Sequence, residues 1–320
     1  MGSHTFACGG RVGLGPRFAL STRVETETWS MRVNRRAFVR SCAGAAGALL
    51  VPWPRPVPTL RFAILQIADG RTFGDGAALG YAEARQAATL FQKGTIEAVH
   101  VFHDALPVKV AGIATLLAKR GAQVIVAGLN DADTRTAALE CDRAGAIFIN
   151  CGARNDTLRR ETCSPFVFHV EASNAMYETA RGLAPAGTEL TLWSDRLEKY
   201  GAAQLNDRFR VAEGAGMRSD DWGGWMAIKV VWESFLRTGK ADAVSIASYM
   251  STDGVAFDGH KGVPLSFRTW DHQLRQPLYA VSQSSSAPPR EIPDTSRTAG
   301  SIRELLDALG EGASEMKCPR

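Results

Sequence analysis

From residue 61 onward the apolar positions change period repeatedly, and each change marks an element. Short apolar runs at 61–68, 96–102, 123–127, 146–149 and 166–170 have the length and composition of strands. Between them the period is helical. Residues 77–91 repeat Leu79, Ala82, Ala87, Leu90 and Phe91 at helical spacing. Residues 107–120 open with Pro107 and have Gly121 just past their end, the usual asymmetry of a helix. Residues 134–143 form another helical stretch, closed by Gly145. Residues 69–76 are turn chemistry. Strands alternating with helices require right-handed crossovers, hence a parallel sheet with helices on both faces. The near-continuous apolar character of the strands agrees, because such strands are buried on both sides. The expected class is α/β, a doubly wound parallel sheet.

Beyond residue 170 the pattern thins. Residues 173–182 read as a short helix, 183–187 as a break and 189–193 as a strand. Residues 196–212, 220–238 and 241–250 are helical in pattern, with Asp220 or Ser219 capping the middle one. Residues 257–267 read as a hairpin around a Gly-containing turn, and 277–281 as a last strand. The Ser- and Pro-rich stretch 283–300 is expected to be disordered, and 301–309 a short capped helix.

Ahead of the fold, residues 1–30 are rich in Gly, Thr and Arg without an apolar period, and are expected as a disordered upstream extension. Met31 is then the candidate start. Arg35-Arg36, Phe38 and the small apolar run 42–51 resemble a bacterial twin-arginine export signal, which implies a periplasmic protein. That run is shorter than the about 20 apolar residues a bilayer needs. The Pro-rich segment 52–58 reads as a stiff spacer, so signal and spacer occupy 31–57.

Composition changes the picture little: 45% hydrophobic and 22% charged is ordinary for a globular chain. The net charge of +4 includes Arg32, Arg35, Arg36, Arg40 and Arg55. The folded part is therefore near neutral, with no electrostatic footprint for nucleic acid. Of six cysteines, Cys8 and Cys42 precede the fold. Among Cys141, Cys151, Cys163 and Cys318, a bridge from Cys163 to Cys151 or Cys318 is expected. There is no CxxC, no HExxH and no histidine pair at metal-ligand spacing, so neither metal nor cofactor is expected. Neither Gly-x-Ser-x-Gly nor Gly-x-Gly-x-x-Gly after a strand occurs, and an enzyme is not expected.

The ordered set of segments is similar to lobe one of type I periplasmic binding proteins, the substrate-binding components of ABC importers of the branched-chain amino acid type. The residues concerned are the strand-turn-helix at 61–91, Val101-Phe102-His103-Asp104, the run from Val126 to Thr134, and Phe148-Ile149-Asn150-Cys151-Gly152. The helix from Trp222 to Trp232, Phe257-Asp258-Gly259 with Gly262, and Gln276-Pro277-Leu278-Tyr279 continue it. Asn150 to Leu158, Tyr200 to Asn206 and Arg268-Thr269-Trp270-Asp271 resemble, more finely, the subgroup associated with PQQ-dependent alcohol dehydrogenase systems. In such proteins a second lobe follows the strand at 166–170. Here only 171–192 stand in its place, with 267–282 as a further remnant, and 58–170 plus 193–266 form lobe one. Residues 283–320 are then a mostly disordered tail with one short helix. The resemblance implies a periplasmic solute-binding component working with an ABC permease. The alternative it carries is a truncated or accessory protein of a quinoprotein dehydrogenase system without a ligand.

Open parallel sheets bind ligands at the carboxyl ends of their strands, where helix N-termini supply free N–H groups. That rule points to Asp69 and Arg71, His103 and Asp104, Asn130 to Asp133, and Gly152 to Asn155. The resemblance implies that Asp131 stands where relatives carry a hydroxyl, and Gly152 and Arg154 where they carry a Gly/Ala-Thr pair. Asp131 would repel a ligand carboxylate, so a standard α-amino acid is not expected. The alternatives are structural: Asp131 or Asp133 caps the helix near Thr134, and Arg154 is a solvated loop residue. Trp222, Trp225 and Trp232 share one helix face, and core packing is expected there rather than an aromatic cage.

Overall fold

A computed structural model describes residues 57–66, 73–102, 107–284, 286–297 and 300–314. The readings of residues 1–56 lie outside them. Strands and helices alternate through the first half: β1 (Thr59–Gln66), α1 (Phe73–Phe91), β2 (Thr95–Phe102), α2 (Pro107–Lys119), β3 (Val124–Gly128), α3 (Asp131–Ala144), β4 (Ile147–Asn150), α4 (Thr157–Glu161) and β5 (Val167–His169). The five strands pair in the order β2-β1-β3-β4-β5, all parallel. Because successive side chains point to opposite faces, each strand feeds two cores. Phe62, Ile64, Val124, Val126, Ile149 and Phe168 face one core. Leu65, Ile125, Ala127, Phe148 and Val167 face the other, with Leu117 of α2 and Ala138 of α3. This double burial is why the strands read as apolar runs and not as alternating ones.

The chain continues through α5 (Asn174–Leu183), β6 (Thr188–Thr191), α6 (Ala202–Glu213), α7 (Ser219–Thr238), α8 (Ala243–Met250), β7 (Phe257–Asp258), β8 (Pro264–Phe267), β9 (Leu274–Arg275), β10 (Leu278–Ser282), β11 (Arg290–Ile292) and α9 (Ile302–Asp307). Two small antiparallel sheets result, β11-β10-β6 and β7-β8-β9. Among the described residues no helix is long and apolar enough to cross a membrane.

Helix α7 roofs the sheet and crosses α1 at very close range. A Cβ on Gly76 would lie 1.7 Å from the Asp221 carbonyl oxygen, and one on Gly224 would lie 2.4 Å from that of Phe73. Only glycine permits this approach. Trp222, Trp225 and Trp232 are buried in the core, as expected. Trp222 stacks on Trp193 with ring centres 5.9 Å apart, and Trp225 Nε1 donates to Glu83 Oε2 at 2.9 Å.

Several readings need correction. Helix α1 begins at Phe73, inside the stretch read as a turn, and Gly76 in it serves the α7 contact. Helix α6 begins only at Ala202, since Gly201 adopts φ 87° before it. Neither Ser219 nor Asp220 caps α7. Asp221 accepts from the Arg218 N–H at 2.8 Å, and Ser219 Oγ instead takes the N–H groups of Leu192 and Trp193. The stretch 283–300 carries β11, which pairs with β10, and a 3-10 turn at Thr295–Arg297. Cys163 is disulfide-bonded, and of its two expected partners Cys151 is removed, since Cys151, like Cys141, is a buried free thiol; Cys318 lies outside the described residues.

Candidate functional site

Strands β3 and β4 are adjacent and parallel, so the loops leaving their carboxyl ends meet at one edge of the sheet. Asn130 caps α3: its Oδ1 accepts from the Asp133 N–H at 2.9 Å, and its Nδ2 donates to Asp133 Oδ2 at 2.8 Å. The cap is therefore neither Asp131 nor Asp133, and the Asp131 carboxylate is exposed at the head of the helix. After β4, Asn150 shapes the next loop from within. Its Oδ1 accepts from Gly152 N at 3.1 Å and Ala153 N at 2.9 Å, while its Nδ2 donates to Ala153 O at 2.8 Å and His169 Nδ1 at 3.1 Å. A Cβ on Gly152 would lie 2.8 Å from the Leu129 carbonyl oxygen, so glycine lets the two loops touch.

Between these loops and the start of α7 lies a cleft of about 420 Å3, bounded by Asn130, Asp131, Gly152, Arg154 and Asp220. The Asn155 N–H points to Asp131 Oδ1 at 3.4 Å. Arg154 is not a free loop side chain. Its Nε donates to Glu171 Oε1 at 2.8 Å, and its guanidinium lies 4.2 Å over the Tyr177 ring. The Tyr177 hydroxyl donates to the same Glu171 oxygen at 3.1 Å. Glu171 is 1% exposed, and burial raises its pKa above the usual carboxylate range despite Arg154. Burial works against the charge on Arg154, and Glu171 outweighs it, so the guanidinium is held above its ordinary value.

The loop is clamped from below by Arg159. Its Nε donates to Gln273 Oε1 at 3.0 Å, and its terminal nitrogens donate to the carbonyls of Ala153 (3.3 Å), Asn155 (3.1 Å) and Glu171 (2.7 Å). Burial lowers its pKa to about 10, which still leaves it charged at neutral pH. Nothing in the sequence distinguishes Arg159 from its neighbour Arg160; the burial that does so is a tertiary fact.

Of the expected ligand residues, Asp131, Gly152, Arg154 and Asn155 come together at this edge. Asp69, Arg71 and Asp104, with His103, lie outside the described residues. Asp220, read from sequence only as a cap, joins the cleft because α7 begins above it. Among the described residues the cleft is lined by two carboxylates and one guanidinium, and no group of His, Cys, Asp and Glu is disposed to hold a metal ion. A second cavity of about 760 Å3 opens near the amino end of β5, among Cys163, Phe166, Val244, Ser251, Trp270 and His272.

The sequence matches no family model and no curated protein. Solved structures do match. A periplasmic binding protein from Burkholderia mallei is 12% identical, with 81% of this chain and 98% of that one covered and a TM-score of 0.62. A leucine-, isoleucine-, valine-, threonine- and alanine-binding protein from Brucella ovis is 13% identical, with 82% and 100% covered and a TM-score of 0.64. A solute-binding protein of an ABC transporter from Rhodopseudomonas palustris, in complex with 3,4-dihydroxybenzoic acid, is 13% identical, with 69% and 92% covered and a TM-score of 0.58. The chain has the type I periplasmic-binding-protein fold, an α/β doubly wound parallel sheet.

Proposed function

We propose that this chain is a periplasmic solute-binding component of an ABC-type importer, not an enzyme, and that it holds a small organic solute at the carboxyl ends of the parallel strands. The observation that carries this is the cleft of about 420 Å3, whose walls come from the loops after β3 and β4. Ligand sites of open parallel sheets lie there, and the matched solved structures include, by name, an amino-acid-binding protein and a solute-binding protein of an ABC transporter. Asp131, Gly152, Arg154 and Asn155 are the binding residues of this reading. Delivery to the periplasm rests on the twin-arginine-like residues Arg35 and Arg36.

A thermal-shift screen of the purified chain against amino acids, amines, alcohols, aldehydes and aromatic acids tests it. A true ligand at a hundredfold excess over Kd stabilises by about 2.7 kcal/mol. A flat response to every class would remove the solute-binding reading.

A second reading is favoured by the slightness of the outer sheet. Strands β6, β10 and β11 have only four, five and three residues. If they are the remnant of a second lobe, one wall of the usual interlobe crevice is reduced, and burial of the ligand falls with it. The chain would then be an accessory periplasmic protein, associated with a quinoprotein alcohol dehydrogenase system. Co-purification with a dehydrogenase, together with a flat ligand screen, would favour this second reading.

A further inference from the structure

The cleft has a charge balance that bears on its solute. Asp131 and Asp220 both face it, from the first turns of α3 and α7. Each of those turns holds a second carboxylate, Asp133 or Asp221, and that one is spent on the helix cap. The positive ends of the two helices are thus already countered, and Asp131 and Asp220 are surplus to that need. Asp220 makes no side-chain hydrogen bond among the described residues, and Asp131 receives only the long one from Asn155. The cation among the described lining residues is Arg154, and Glu171 opposes its charge from beneath at 2.8 Å. A carboxylate entering the cleft would meet two carboxylates and one guanidinium already paired. An ammonium or guanidinium group would meet two carboxylates, neither of which forms a salt bridge among the described residues.

We propose that the cleft selects a small organic cation that carries no carboxylate, and that Glu171 sets this preference by neutralising Arg154. The proposal rests on reading the cleft as the solute site. Asp131 and Asp220 are the ligand contacts, and Glu171 is a positioning residue that acts through Arg154.

Isothermal titration of the full chain with 1,4-diaminobutane, choline, leucine and succinate tests it. Wild type is expected to bind a cation at least about tenfold tighter than leucine or succinate. Asp131→Asn and Asp220→Asn, both at solvent-accessible positions, are each expected to weaken the cation about tenfold or more. Glu171→Gln is expected to move the preference toward succinate, a change that a merely structural role would not produce. Should that variant fail to fold, the two Asp variants still decide the matter. Preference for leucine or succinate, abolished by Arg154→Met, overturns this inference and leaves the solute-binding reading standing. Binding of uncharged compounds only also overturns it. Silence toward all four probes and toward the wider thermal-shift set overturns both.

Discussion

Arg154 Nε lies 2.8 Å from Glu171 Oε1, yet the two side chains differ sharply in environment: 45% of Arg154 is exposed and 1% of Glu171. The pair joins the surface of the cleft to the interior of the protein. Removing the exposed partner strands a charge inside, whereas neutralising the buried one strands nothing charged. Arg154→Met is therefore expected to cost more stability, about 2–3 kcal/mol, than the isosteric Glu171→Gln at about 1 kcal/mol. Urea unfolding of both variants checks the order; a larger loss for Glu171→Gln would contradict it.

The dependence on pH follows from groups held away from their ordinary titration. His169 is fully buried, and burial, with Arg159 next in weight, pushes its pKa well below the histidine value of 6.5. Burial lowers His272 as well, against the hydrogen bond from its Nδ1 to the Val167 carbonyl at 3.0 Å. Below pH 6.5 the unfolded chain therefore binds protons at these positions more readily than the fold does. Their contribution is present above pH 6.5 and is lost as pH falls below it, by up to about 1.4 kcal/mol per pH unit for each group.

Glu171 has the opposite sign. Its raised pKa means that the folded chain binds the proton more readily, so its contribution falls as pH rises above the ordinary glutamate value of 4.5. Unfolding free energies between pH 5 and 7 are expected to fall toward acid in the wild type. The fall should be shallower in His272→Gln and steeper in Glu171→Gln. Identical slopes in all three would contradict this assignment.

The α1–α7 crossing gives a prediction independent of charge. Gly224→Ala places a methyl against the backbone carbonyl of Phe73, which no side-chain rotation relieves. It should cost about 3 kcal/mol and, by shifting the start of α7, move Asp220 out of register with Asp131. A variant with unchanged stability and unchanged ligand affinity would show that the helices need not be so close.

Arg159→Lys tests the clamp beneath the loop. A lysine ammonium cannot reproduce the fan of bonds to Gln273, Ala153, Asn155 and Glu171. The expected loss is about 3 kcal/mol, because acceptors are left buried without donors. Chemical denaturation measures it, and a loss below about 0.5 kcal/mol would contradict the role.

The sheet was legible in the sequence because β1, β3 and β4 are buried on both faces, and this leaves an uninterrupted apolar run. Asp131, Gly152 and Arg154 were legible because strand ends and loops alternate regularly there. Other features depend on partners far along the chain. Gly74 and Gly76 read as a turn, yet Gly76 serves a contact with Asp221, 145 positions further along the chain. Strand β11 follows a Ser- and Pro-rich stretch and exists through its pairing with β10. Asp220 carries no local mark of a cleft residue, since an acid in the first turn of a helix is ordinary. Gln273 reaches Arg159 and the carbonyls of His169 and Glu171, contacts that no periodicity encodes.

The central claim is that a solute enters between the β3 and β4 loops and the start of α7. Hydrogen exchange of the full chain, with and without a compound that raises its melting temperature, tests this directly. The account predicts slowed exchange confined to peptides spanning 129–134, 151–156 and 218–222. Protection instead at 163–166 and 269–272, beside the larger cavity, would contradict it.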